Sequence, residues 1–199
     1  MKGVNAHVVG QISSSKSEPE WMEQLRFRSL RLFDERLMAE WFVADLCEID
    51  FQDIDSEPQS EDVLSDLTGK TALLGSEAAS EEHREALEQQ GVLFCDMDTA
   101  IRKHPRLVQE YFGTVISPGA DNFADLNTSI WAGGAFVYVP SGIEVAIPLQ
   151  SDLPTHFETG GQFQRTLIIA EEGSKVRYIE GCSAPVYTKN TLRCAVAEI

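Results

Sequence analysis

One stretch, Trp131 to Pro185, restricts the possible folds of this chain more than any other. It reads WAGGAFVYVPSGIEVAIPLQ, SDLPTHFETGG and then QFQRTLIIAEEGSKVRYIEGCSAP, with apolar runs broken again and again by Gly and Pro. Val, Ile and aromatic side chains suit a pleated, half-buried surface, and Gly and Pro supply sharp turns between such surfaces. Strands are therefore predicted at 135–139, 143–149, 163–170, 174–180 and 192–199. Two of the turns, Pro140-Ser141-Gly142 and Glu171-Glu172-Gly173, lie 31 residues apart, each flanked by predicted strands. Repetition at that period suggests coils of a β-solenoid, in which each coil buries its apolar side only against its neighbours. Two coils and part of a third are too few to stand alone. With the pattern still open at Ala195–Ile199, the expectation is a fragment or one half of an obligate assembly.

Upstream the rhythm is helical. Residues 1–17 are polar and Ser-rich and read as a mobile lead-in. Ser17-Glu18-Pro19-Glu20 then carries helix-start signals, followed by Met22, Leu25, Leu30, Phe33 and Leu37 at roughly helical spacing. Arg26, Arg28 and Arg31 fall largely off that stripe and are expected to face solvent. From Ala39 to about Gly75 acids and Ser dominate, as in a linker or loose wrap anchored by Trp41-Phe42-Val43 and Ile49-x-Phe51. Ser80 is predicted to cap a helix over 81–90 that Gly91 ends. A buried strand at Val92–Cys95 and a helix over 99–103, capped by Asp96 or Asp98 and interrupted at His104-Pro105, complete the region. The fold class expected is α+β, divided as 1–17 lead-in, 18–117 helical region with an acidic linker, and 118–199 partial β-core.

The formal charge of −16 repels a phosphate backbone, so nucleic acid is not an expected partner. No apolar run approaches the ~20 residues that span a bilayer, so no membrane partner is expected either. The first 20 residues lack a secretory apolar segment, and cytoplasmic localisation follows as an expectation. Cys47, Cys95, Cys182 and Cys194 show no CxxC spacing, which favours reduced thiols over a disulfide framework.

Enzyme motifs are missing: no GxxxxGK[ST] phosphate loop, nucleophile elbow or HExxH. Cys182, between Gly181 and Ser183 at a strand-to-turn junction, is the best placed thiol for chemistry. Lys175, Arg177 and Lys189 are near enough in sequence to supply positive charge. Cys47, Cys95 and Cys194 read as ordinary core thiols. His156 is a second candidate ligand, although a solvent-facing loop residue is its plainer reading. Four scattered cysteines in unlike contexts do not make a self-contained site for a group that takes four ligands. A small cupin-like metal-binding protein is an alternative from another class, because short Gly/Pro-punctuated strands suit that barrel too.

Several longer motifs occur in one order: Glu18-Pro-Glu-Trp21, Gly91-Val-Leu-Phe-Cys-Asp-Met-Asp-Thr-Ala100, Tyr111-Phe-Gly113, Gly133-Gly-Ala-Phe-Val-Tyr-Val-Pro140, Ile147-Pro-Leu-Gln150, Gly161-Gln-Phe163, Arg165-Thr-Leu-Ile-Ile169 and Tyr178-Ile-Glu-Gly-Cys-Ser-Ala-Pro185. Together they resemble the N-terminal half of SufB, the scaffold subunit of the SUF iron–sulfur cluster assembly system (SufB/SufD family). That resemblance implies a right-handed parallel β-helix preceded by a helical region, and a scaffold rather than an enzyme. Expected partners are a SufC-like ATPase that hydrolyses the ATP, a SufD-like or second SufB-like subunit, and a cysteine desulfurase relay that delivers sulfur. The iron–sulfur cluster would be transient and shared with segments or subunits outside this chain. Cys182 matches the family cysteine associated with sulfur entry. The chain also departs from the family pattern. Pro154 and His156 stand where Arg and Asn are usual along the sulfur path, and Arg177 and Arg193 stand where His is usual. A SufD-like structural partner that accepts no sulfur is the alternative within the family.

Overall fold

A computed structural model of the chain describes residues 3–36, 50–54, 81–152, 160–181 and 191–199. Its elements run α1 (Ala6–Ser15), α2 (Glu20–Glu35), α3 (Glu81–Gln89), β1 (Leu93–Asp96), α4 (Met97–Lys103), α5 (Pro105–Tyr111), α6 (Asn122–Ile130), β2 (Ala135–Val139), β3 (Leu149–Asp152), β4 (Gly160–Ala170), β5 (Tyr178–Gly181) and β6 (Thr191–Glu198). Helices and strands are mixed, and one four-stranded sheet, ordered β1-β2-β4-β6, lies with a two-stranded sheet, β3-β5.

The strand registers show how the chain coils. β2 pairs parallel with β4, Phe136 opposite Leu167, and β4 pairs parallel with β6, Gly160 opposite Thr191. In the small sheet Leu149 lies opposite Tyr178, also parallel. Between the two sheets the turns stack. Ser141 Oγ and Gly142 N both donate to Glu172 O, at 2.8 and 3.0 Å, and Lys175 forms a parallel bridge with Glu144. The turn-to-turn period of 31 residues in the sequence is thus also the register offset of both parallel pairs in the large sheet, while β3 and β5 pair at an offset of 29. Two predicted strands are shorter than expected: within 143–149 and 174–180 only the Glu144–Lys175 bridge precedes β3 and β5.

β4 is covered on both faces, which explains its nearly unbroken burial. Phe163, Leu167 and Ile169 join the main core with Val8, Ile12, Met22, Leu126, Ile130 and Trp131 from the helices. Ile168, on the opposite face, joins Val137, Val139, Val145 and Leu149 between the two sheets. A strand buried on both faces shows a continuous apolar run rather than alternation.

Three expectations need correcting. The polar lead-in at 1–17 contains helix α1, capped by Asn5 and seated on the core through Val8, Val9 and Ile12. Its larger apolar residues, Val8, Val9 and Ile12, are few but all on one face. The end of helical structure near Ser117-Pro118-Gly119 is overturned by α6, whose residues are almost all buried, among them Asp125, Asn127, Thr128 and Ser129. Such a helix carries no polar stripe against an apolar one, because its polar groups bond protein rather than water. Asn127 Nδ2, for example, donates to the backbone oxygens of Gln164 (2.8 Å) and Cys194 (3.0 Å), joining α6 to β4 and β6. Finally, Arg26 does not face solvent. It is fully buried, forks onto Glu18 at 2.6 and 2.7 Å, and its guanidinium lies 4.5 Å from the Trp131 ring centroid. Arg28 and Arg31 are exposed, as expected.

Candidate functional site

Cys182 and His156, the candidate site residues, lie outside the described residues, as do Cys47, Pro154 and Lys189. The chain leading into Cys182 is described. β5 runs to Gly181, with Ser151 opposite Glu180 and Asp152 opposite Gly181 on β3. A hydrogen-bonded group occupies this end of the strand: Glu180 Oε2 accepts from Thr166 Oγ1 at 2.7 Å and from Tyr178 Oη at 3.0 Å. Burial, and then the Glu180 charge, push the Tyr178 phenol well above its ordinary range, so it stays a donor. This group was not anticipated from sequence. Its three members are on two strands, and only the β4–β5 geometry brings Thr166 to Glu180.

The two cations on the near side are already engaged. Lys175 Nζ pairs with Glu144 at 3.0 Å on the solvent surface, and Arg177 donates to the Ala146 carbonyl at 3.1 Å. Both tie one coil to the previous one. His104 stands at the junction of α4 and α5, and its side chain makes no capping hydrogen bond to α5.

The two described thiols are held in the protonated form. Burial, then Asp96, push Cys95 up to about 12, and burial pushes Cys194 up to about 11 despite an Asn127 hydrogen bond that acts the other way. Cys194 is 7% exposed, and its Sγ lies 3.6 Å from the Phe123 carbonyl oxygen. A thiolate, not a thiol, is the nucleophile and the ligand form of cysteine, so neither position is suited to either task.

A second polar centre, also missed from sequence, is buried beneath the sheet. Arg165 Nη2 meets Glu198 Oε2 at 2.6 Å, both side chains almost wholly buried. Its Nη1 donates to Thr128 Oγ1 (3.1 Å) and Asn127 Oδ1 (3.4 Å), and the guanidinium lies 4.6 Å from the Phe112 ring centroid. Glu198 also accepts from the amides of Gly113 (3.0 Å), Val115 (3.2 Å) and Ile116 (3.0 Å). Among the described residues no group of three or more His, Cys, Asp or Glu is gathered to hold a metal ion.

Helices packed on parallel strands, with turns repeating in register, make a mixed helix-and-sheet fold with no closed barrel among the described residues. Comparison with known proteins then identifies the family. Residues 49–151, just over half of the 199-residue chain, match the family model described as the SufBD protein N-terminal region. The whole chain aligns at 39% identity with the iron–sulfur cluster assembly SufBD family protein of Staphylococcus haemolyticus (strain JCSC1435). It aligns at 40% with that of Staphylococcus aureus (strain MRSA252) and at 39% with that of Staphylococcus epidermidis (strain ATCC 35984). The chain belongs to the iron–sulfur cluster assembly SufBD family. It covers 48% of each of these relatives, so it spans about half the length of the curated proteins it matches. The cupin-like alternative is set aside by this membership and by the open order of the four-stranded sheet. No helix among the described residues is long and apolar enough to cross a membrane.

Proposed function

We propose that this chain is the N-terminal part of a SufB-type scaffold that accepts sulfur at Cys182 and helps build an iron–sulfur cluster as cargo for transfer. Its core on this reading is the start of a right-handed parallel β-helix, with the helical region packed along one side. The observation that carries the proposal is the match of residues 49–151 to the SufBD N-terminal model. The repeated parallel register at a 31-residue period supports the solenoid form. The protonated states of Cys95 and Cys194 support Cys182 as the acceptor, since a sulfur acceptor needs a reachable thiolate.

The chemistry balances without an external oxidant. A donor persulfide R–S–SH, supplied by a cysteine desulfurase relay, presents its terminal sulfur to the Cys182 thiolate. The new S–S bond forms on Cys182 as the donor S–S bond breaks. The donor leaves as a thiolate, and the proton from Cys182 ends on the leaving thiolate or solvent. A SufC-like ATPase and a SufD-like or second SufB-like subunit complete the cytoplasmic assembly. Further cluster ligands come from segments or subunits outside this chain, with His156 a candidate from within it. To test this, the assembled complex is loaded with labelled persulfide and compared with a Cys182→Ser complex. Loss of label in the variant supports the proposal. Equal labelling in an intact complex would favour the SufD-like structural role instead.

A further inference from the structure

The loop joining α5 to α6, residues 112–121, contains no regular element of its own. Few internal bonds fold it: Thr114 N donates to Tyr111 O (3.2 Å) and Ala120 N to Ser117 O (3.0 Å). Phe112 anchors its start in the main core, but beyond it apolar burial contributes little, since Val115 is 65% exposed. What holds it is a carboxylate about 80 residues away in sequence, reached from three amides at 113, 115 and 116. That carboxylate is Glu198, 1% exposed, and it belongs to β6, which pairs with β4 at the end of the described sheet order. Arg165 completes the fastening from β4, donating through Nη2 to both Glu198 and the Ile116 carbonyl.

We propose that Glu198 is a latch that makes the form of loop 113–119 conditional on β6 being seated against β4. If β6 lifts, the three amides and the Arg165 guanidinium lose their acceptor together. Buried donors without a partner, and a buried charge without its counter-charge, are costly, so the loop cannot keep its form. Coupling of this kind is reciprocal: whatever fixes the loop also fixes β6, and whatever engages the β6 edge is felt at the exposed Val115 face. Through the bond from Gly119 N to Asp125 Oδ1 (2.7 Å), the same loop is tied to the first turn of α6. The latch is independent of sulfur chemistry at Cys182.

Amide hydrogen exchange on the full chain tests the latch. Glu198→Gln keeps the side-chain shape but removes the charge, and the amides of Gly113, Val115 and Ile116 should then exchange on the order of tenfold faster. The amides of β2 should be unchanged. A second variant, Ala197→Pro, loosens β6 by removing a backbone donor while leaving Glu198 in place. The same three amides should accelerate in step with those of β6. Protection of the loop that survives loosening of β6, or that is indifferent to the Glu198 charge, would overturn the proposal.

Discussion

Cys95 and Cys194 have opposite consequences for chemistry and for stability. Burial keeps both thiols protonated, with values pushed up to about 12 and about 11 from an ordinary 9.0. A group whose folded value is raised contributes fully below its unfolded value, and the contribution is lost as pH rises towards the folded value. Here the window opens near pH 9 and extends to about 11 for Cys194 and about 12 for Cys95. Urea denaturation at pH 8 and pH 10.5 should show the chain losing on the order of 1–3 kcal/mol more than a Cys95→Ala, Cys194→Ala double variant loses over the same interval. Equal losses would show that these thiols ionise freely in the folded state. The identity of these residues as core thiols was readable from their apolar neighbours in sequence. The fate of Arg26 was not. Its place on the helix marks it for solvent, and only the tertiary position of Trp131 and the approach of Glu18 turn it inward.

At the scale of elements, the turns and strands explain what sequence could and could not disclose. The 31-residue offset between two Gly-containing turns was legible because a stacked coil repeats its corner at a fixed interval, and Gly142 and Gly173 share φ values of +73° and +74°. Helices α1 and α6 were illegible for different reasons. α1 has too few apolar residues for its periodicity to stand out, and α6 buries polar groups that bond strand backbones. The same distinction between corner and packing predicts how two glycines respond to substitution. A Cβ added at Gly142 meets nothing within 4 Å, so Gly142→Ala should cost only the left-handed backbone penalty, about 1–2 kcal/mol. A Cβ at Gly134, with φ +130°, would run into the backbone carbonyl of Arg165. Gly134→Ala must therefore push β2 away from β4, beside the buried Arg165–Glu198 pair, and should cost at least twice as much by chemical denaturation. Similar midpoints for the two variants would contradict the close approach of these strands.

Over the whole molecule, membership of the SufBD family rests on sequence, and the coiled architecture supplies its physical sense. The central strand β4 buries one face against the helices and the other against the small sheet, so a chain half a relative's length already forms a core. A charge of −16 disfavours anionic partners. The central claim is that sulfur lands on one thiol of four. The most direct measurement loads the assembled complex with labelled persulfide, blocks free thiols, digests it and locates the label by mass spectrometry without prior reduction. The account predicts sulfane sulfur on the peptide carrying Cys182, with Cys95 and Cys194 unlabelled. Label on either of those two protonated thiols, or on none of the four cysteines, would contradict it.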